Sequence, residues 1–394
     1  MRMTWWESRQ NFLQPTLVLD RSVVTTKFSD LSAGLGDVDI FYAVKANPHP
    51  DILKCLLDRG ASFDAASGEE IRLCLKLGAD PSAVSFGNTI KSPHDIKFAF
   101  DSNVRTFAAD CRAELEKISS SAPGSDVFIR VQVEAAGADW PLDKKFGCDP
   151  KQATALLSAA RDLGLIPRGL SFHIGSQARC PSIWDSPIAQ VSAVWKDALR
   201  SGISLSLLNI GGGFPAVYDQ PQMPLRDYSA TVRRALEGHF PGVRNLMAEP
   251  GRSLVAEAGA IAANVLLVDR KRPKDTMRWV YLDIGVFSGL AETLFESIRY
   301  PLATDFDDQE MGPCILAGPS CDSTDIMYQE QPVQLPLGLT SGSRILIRNA
   351  GAYTTAYASS GFNGFPPPRV LILPEQAPIS ASQDWDNCID RMLN

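Results

Sequence analysis

Short apolar runs alternate with longer segments whose apolar residues recur at helical spacing over the first two thirds of the chain. The runs predict strands over residues 40–45, 62–65, 84–86, 105–108, 127–133, 169–174, 207–210 and 245–248. Between them, residues 50–58, 69–77, 93–100, 112–119, 150–163, 188–200 and 228–238 read as amphipathic helices. Eight such units of even length predict an α/β fold, a (β/α)8 barrel over residues 37–265. From about Leu266 the pattern changes. Residues 279–283, 314–317, 344–347 and 370–373 read as strands bounded by Pro, Gly and Asp, with no long helix between them. They predict a C-terminal all-β domain, sandwich- or barrel-like, over 266–394. A strand over 16–19 is expected to join the N-terminal segment 1–36 to that domain, and 332–339 reads as a loop or edge.

Composition narrows the class only a little. The chain has 394 residues, 45% hydrophobic and 21% charged, which is ordinary globular usage. A net charge of −7 gives no footprint for nucleic acid or an anionic membrane. The eight cysteines contain no C-x-x-C pair, so reduced thiols and no metal site are expected. No stretch approaches the length of a membrane span and the first residues lack an apolar leader core, so a soluble cytoplasmic protein is expected.

Polar residues collect after the predicted strands: Lys45, Asp64, Asn88, Asp110, Arg130, His173-Ile-Gly-Ser176, Gly211-Gly-Gly213 and Glu249-Pro-Gly-Arg252. Barrel enzymes carry their chemistry on that face. Lys45 closes the β-prone run Asp39-Ile-Phe-Tyr-Ala-Val-Lys-Ala-Asn47. A lysine ending a buried strand loses hydration, which favours the neutral, nucleophilic amine. Three successive glycines let backbone N–H groups approach an anion such as a phosphate. Glu249 suits a ring nitrogen that must stay protonated, Arg252 suits a phosphate, and His173 suits stacking on a planar ring. Each also has a plain structural use: a solvent-reaching lysine, a flexible turn, an internal ion pair, a core histidine. Together on one barrel face they point to pyridoxal 5′-phosphate, with Lys45 forming the Schiff base.

The motifs Tyr42-Ala-Val-Lys-Ala-Asn47, Phe63-Asp-Ala-Ala-Ser67, Ser171-Phe-His-Ile-Gly-Ser176, Gly211-Gly-Gly-Phe-Pro215, Glu249-Pro-Gly-Arg252, Gly318-Pro-Ser-Cys-Asp-Ser323 and Gly351-Ala-Tyr-Thr354 occur in one order. In that order the chain resembles the group IV, alanine-racemase-fold decarboxylases of ornithine, lysine and diaminopimelate. Asp139-Trp-Pro-Leu-Asp143, Gly87-Asn-Thr-Ile-Lys91 and 290–297 are most similar to the bacterial lysine/ornithine branch. The resemblance implies a homodimer with active sites shared between subunits. It implies that Lys45 is the Schiff-base lysine, that Asp64 positions it and that His173 stacks on the ring, with Glu249 on the ring nitrogen. Ser176, Gly211, Gly212, Gly213, Arg252 and Tyr353 would hold the phosphate. Cys321, from the other subunit, would return a proton to the substrate carbanion. Asp322, Glu296 and Phe362 would bind the substrate, and Lys145 and Asp325 would pair across subunits.

The Cys321-Asp322 pair matches the ornithine/lysine branch, where the diaminopimelate branch has Cys-Glu. The implied activity is decarboxylation of L-ornithine and/or L-lysine to putrescine or cadaverine. The alternatives are diaminopimelate, another modified basic amino acid of a specialised pathway, or a non-catalytic regulatory homologue. Glu296 and Phe295 depart from the eukaryotic ornithine enzymes, which carry aspartate and tyrosine there. Glutamate is about one methylene longer than aspartate, a difference worth roughly 1–3 kcal/mol of discrimination.

Overall fold

The computed structural model describes residues 12–135, 137–140, 145–304, 306 and 309–373. The chain divides into two compact units. One comprises Lys27–Ala216 and Gln222–Ser253; the other takes the described residues before 27, Val217–Pro221 and the chain from Leu254 onward.

The first unit is a closed barrel of eight parallel strands: Asp39–Ala43, Ser62–Ala65, Val84–Phe86, Thr106–Ala109, Asp126–Arg130, Ile166–Ser171, Leu207–Asn209 and Asn245–Ala248. Pairing of Met247 with Asp39 and Ala248 with Ile40 closes the ring. Tyr42, Phe63, Phe86, Phe107 and Phe128, one on each of the first five strands, are all essentially buried. Burying a side chain of this size stabilises the fold by about 1.5–3 kcal/mol.

Sequence punctuation turns strands into helices. His49-Pro50, Ser92-Pro93 and Asp149-Pro150 each place a capping side chain before a proline at the first helical position. Proline there loses no hydrogen bond, because that N–H is unpaired in any helix. Ser67 and Glu70 cap the helix that follows Ser67: Ser67 Oγ accepts from Glu70 N, and Glu70 Oε2 accepts from Ala66 N, one residue before the N-cap, at 2.7 Å.

The second unit is a nine-stranded sheet. The eleven-residue strand Gly259–Asp269 lies between Arg344–Arg348 and Arg278–Leu282, antiparallel to both. Thr16–Asp20 pairs antiparallel with Gly259–Asp269 and parallel with Arg369–Leu373, so the N-terminal strand joins this sheet as expected. Val333–Pro336, within the expected loop or edge, is a strand on Met311–Ala317. The core around Val18, Ala260, Ala262, Ala303, Leu346 and Leu373 uses small residues where backbones approach closely. A Cβ on Gly259 would lie 2.3 Å from Gly351 Cα. Among the described residues, no helix is long and apolar enough to cross a membrane.

Candidate active site

The first strand ends at Ala43, and Lys45 lies just beyond it in the 3-10 turn Val44–Ala46. The expected strand therefore stops two residues short of the lysine. The turn leaves the Lys45 side chain 48% exposed, with a carboxylate partner beside its amine. That partner is Asp64 on the second strand, whose Oδ2 lies 3.2 Å from Lys45 Nζ. Asp64 is buried, and its Oδ1 has no hydrogen-bond donor. Gly87 makes room for that oxygen, since a Cβ there would lie 1.9 Å from it.

Glu249 follows the eighth strand. Burial, and then the negative charge of Asp64, raise its pKa to about 7. Lys45, a hydrogen bond from Asn209 and Arg130 act in the opposite direction. A carboxyl so poised becomes a firm anion as soon as a cationic N–H is set against it. His173 Nδ1 accepts from Gly175 N at 3.0 Å, which leaves the ring proton on Nε2. Burial, with Arg130 and Lys45 nearby, holds its pKa well below 6.5. The imidazole is therefore neutral at physiological pH, as a group that packs on a cationic ring should be.

The glycine turn sits against both groups. A Cβ on Gly212 would lie 2.7 Å from Glu249 O and 3.1 Å from His173 Nε2. Gly211 has φ +68°, and a Cβ there would lie 2.2 Å from Phe172 O. Gln177 pins the neighbouring loop, donating to Ala216 O and accepting from Ala216 N. Arg252, 4% exposed, donates from Nε and Nη2 to Ser176 Oγ at 3.2 Å. Lys45, Asp64, His173, Ser176, Gly211–Gly213, Glu249 and Arg252 thus share the mouth of one barrel, Asp64 near the end of strand two and the others after strands one, six, seven and eight.

Two further residues carried no role in the sequence reading. Arg130, at the end of the fifth strand, feels the charges of Glu249, Asp110 and Asp64, and its guanidinium lies 5.2 Å from the Phe146 ring centroid. Asn209 ends the seventh strand, fully buried, with its side chain on Glu249. The available signal was a polar residue at a strand end. What it touched depended on register.

The remaining expected residues, Lys145 of the barrel unit apart, belong to the sheet unit. Cys321 is exposed, and its N and Sγ donate to Asn363 Oδ1 at 3.1 and 3.3 Å. Asp322 is exposed; its carboxylate accepts from Thr324 N and Oγ1, and these bonds hold its pKa below the usual value. Phe362 is 40% exposed, its ring 4.8 Å from that of Phe287. Tyr353 has φ +53°, and its ring centroid lies 6.5 Å from that of Tyr357. Asp325 is 3% exposed and accepts from Val286 N, Ser320 N and Ser320 Oγ. Lys145 is exposed, its Nζ 4.9 Å from the Phe146 ring centroid.

Glu296 is placed differently from its neighbours in the motif. Its side chain is 13% exposed; Oε2 pairs with Arg299 at 2.7 Å, and Oε1 accepts from Glu330 N and Gln331 N. Phe295 beside it is 93% exposed at φ +56°. At this turn the phenyl faces water and the carboxylate is engaged.

Backbone N–H groups freed of Cβ obstruction, an arginine on a serine hydroxyl and a carboxyl near neutrality suit a ring cation with a phosphate tail. A lysine held by a carboxylate at the same mouth completes a barrel enzyme of the pyridoxal-phosphate class. The chain belongs to the family described as pyridoxal-dependent decarboxylase, pyridoxal binding domain, which matches residues 21–256. It is a pyridoxal-phosphate-dependent decarboxylase.

Over 378 residues it is 30% identical to the lysine/ornithine decarboxylase of Selenomonas ruminantium, covering 96% of this chain and 94% of that protein. The structure of the Vibrio vulnificus lysine/ornithine decarboxylase complexed with cadaverine superposes with a TM-score of 0.84 at 33% identity, covering 93% of this chain and 97% of that one. Antizyme inhibitor 2 of Xenopus laevis is 32% identical over 362 residues, covering 88% of this chain and 78% of that protein.

Proposed function

We propose that this protein is a homodimeric, cytoplasmic decarboxylase of L-ornithine and/or L-lysine, releasing carbon dioxide and putrescine or cadaverine for polyamine formation. The observation that carries the reading is the pairing of Lys45 with Asp64 at the mouth that also holds Glu249 and the glycine turn. The names of the Selenomonas and Vibrio relatives support the substrate class.

In this reading Lys45 Nζ is the covalent anchor for the cofactor, and Asp64 orients it. Ser176, Gly211, Gly212, Gly213, Arg252 and Tyr353 hold the phosphate. Bound there, the cofactor supplies the electron sink that takes up the pair left by departing carbon dioxide. Glu249 would hold the ring nitrogen protonated, and neutral His173 would pack on the ring. The Cys321 thiol of a second copy would return a proton to the substrate's Cα, and Lys45 would hold the cofactor before and after turnover. Asp322, held ionised by Thr324, receives the substrate's distal ammonium, with Phe362 lining the same pocket.

Glu296 would reach a substrate only by giving up Arg299 or the Glu330 and Gln331 amides, so its work in this reading is to hold the turn. The exposed phenyl of Phe295 favours a second reading, a modified basic amino acid with added apolar carbon near its distal end. A regulatory protein without catalysis has no use for the Lys45–Asp64 pair or the anion cradle. Amine release from ornithine, lysine, arginine and meso-diaminopimelate, with and without added cofactor, separates these readings. Turnover of ornithine or lysine supports the first. Silence with all four favours a modified substrate.

A further inference from the structure

We propose that Asn209 is a positioning residue that locks the Glu249 carboxylate and the glycine turn into one register, so that the cofactor's ring nitrogen and phosphate are gripped as a unit. The inference rests on the reading of Glu249 as the partner of the ring nitrogen.

Asn209 is the last residue of the seventh strand and is completely buried. Its Nδ2 donates to Glu249 Oε1, and its Oδ1 accepts from Gly211 N at 2.8 Å. The main chain makes the same connection. Ile210 N donates to Met247 O and Glu249 N donates to Gly211 O, both at 2.8 Å, so the ladder between the last two strands runs on into the turn. The Asn209 side chain adds a second link across that ladder. Gly212 is closely packed at the same place, since a Cβ there would lie 2.7 Å from Glu249 O and 3.1 Å from His173 Nε2.

A primary amide suits this place because it offers a donor on one arm and an acceptor on the other in a single plane. Aspartate of the same shape would accept from Gly211 but would set a second carboxylate against Glu249 and drive it towards the protonated form. A neutral carboxyl in place of Glu249's anion no longer stabilises a cationic ring N–H. Leucine of similar volume would satisfy neither arm. The amide donor already favours the ionised form of Glu249, against the burial that opposes it.

The test uses the apoenzyme and three probes: pyridoxal 5′-phosphate, its analogue with carbon in place of the ring nitrogen, and inorganic phosphate. Affinities are measured for the natural protein, Asn209→Asp and Asn209→Leu, with circular dichroism to confirm folding; either folded variant suffices. The natural protein is expected to prefer the nitrogen-containing cofactor by about tenfold or more, as for one charge-assisted hydrogen bond. Asn209→Asp should lose most of that preference and Asn209→Leu about threefold of it, and both should bind phosphate about threefold or more weakly. A preference unchanged in the variants overturns the proposal, even if all three affinities fall together, since that is loss of structure alone. A fall in one quantity without the other contradicts the coupling. If the natural protein itself shows no preference, the role of Glu249 fails and the proposal fails with it.

Discussion

Lys45 Nζ lies 3.2 Å from Asp64 Oδ2, while the other oxygen of the same carboxylate faces Gly87 with no donor. The aspartate therefore does two jobs with unequal arms: one orients the amine, and the other fills space that only glycine leaves open. Asp64→Asn keeps the shape and removes the charge. Cofactor affinity should fall about tenfold to a hundredfold, the worth of one charge-assisted hydrogen bond, with little change in thermal stability. Gly87→Ala should instead push Asp64 aside and lower stability by about 1–3 kcal/mol, as overpacking does. Equilibrium cofactor binding and thermal unfolding of both variants separate the two arms.

His173 and Glu249 make the stability of the apoenzyme depend on pH in opposite senses. His173 has a folded pKa well below its ordinary 6.5, so below pH 6.5 the unfolded chain binds the extra proton and acid destabilises the fold. Glu249 has a folded pKa of about 7 against an ordinary 4.5, so between those values the folded chain binds the extra proton and acid stabilises it. In natural protein the two offset one another. Glu249→Gln removes the second effect. Its stability should fall more steeply than the natural protein's from pH 6.5 to 5, by up to about 1.4 kcal/mol per pH unit. Above pH 7 the variant should be the more stable of the two, because no carboxylate is ionised in that enclosure. Urea unfolding of both apoenzymes between pH 5 and 8 reads this directly; parallel profiles would contradict it.

Glu296 and Asp322 are predicted to part company. Glu296→Ala leaves Arg299 Nη1 and two backbone amides without the Glu296 acceptor, and should lower stability by about 1–3 kcal/mol with KM changed less than about threefold. Asp322→Asn should leave stability unchanged and raise KM for ornithine or lysine about tenfold or more. Thermal unfolding and steady-state kinetics on the two variants decide it. The reverse pattern would return Glu296 to the substrate.

The barrel was legible because short apolar runs alternate with segments of helical period, and the structure starts three of those helices at a proline behind a capping side chain. Lys45 was misplaced by two residues because Val44-Lys45-Ala46 is as β-prone as the strand before it, and only the turn's backbone distinguishes them. The strand Gly259–Asp269 was not foreseen. Its Gly-Ala-rich start answers the close approach of Gly351 and carries no strand pattern. That Lys45, Glu249 and the glycine turn would share one end of the barrel was readable from residue type and position. The engagement of Glu296 was not: its partners come from residues 330 and 331 as well as Arg299, on a turn at positive φ. Arg130 and Asn209 were visible as polar strand ends, but their partners follow from register alone.

Whether Lys45 is the covalent anchor is tested most directly by borohydride reduction of the cofactor-loaded enzyme followed by peptide mass mapping. The cofactor should be fixed to the peptide containing Lys45, and Lys45→Ala should show neither the label nor turnover. A label on another lysine, such as the buried Lys91, or one that persists in Lys45→Ala, would contradict it.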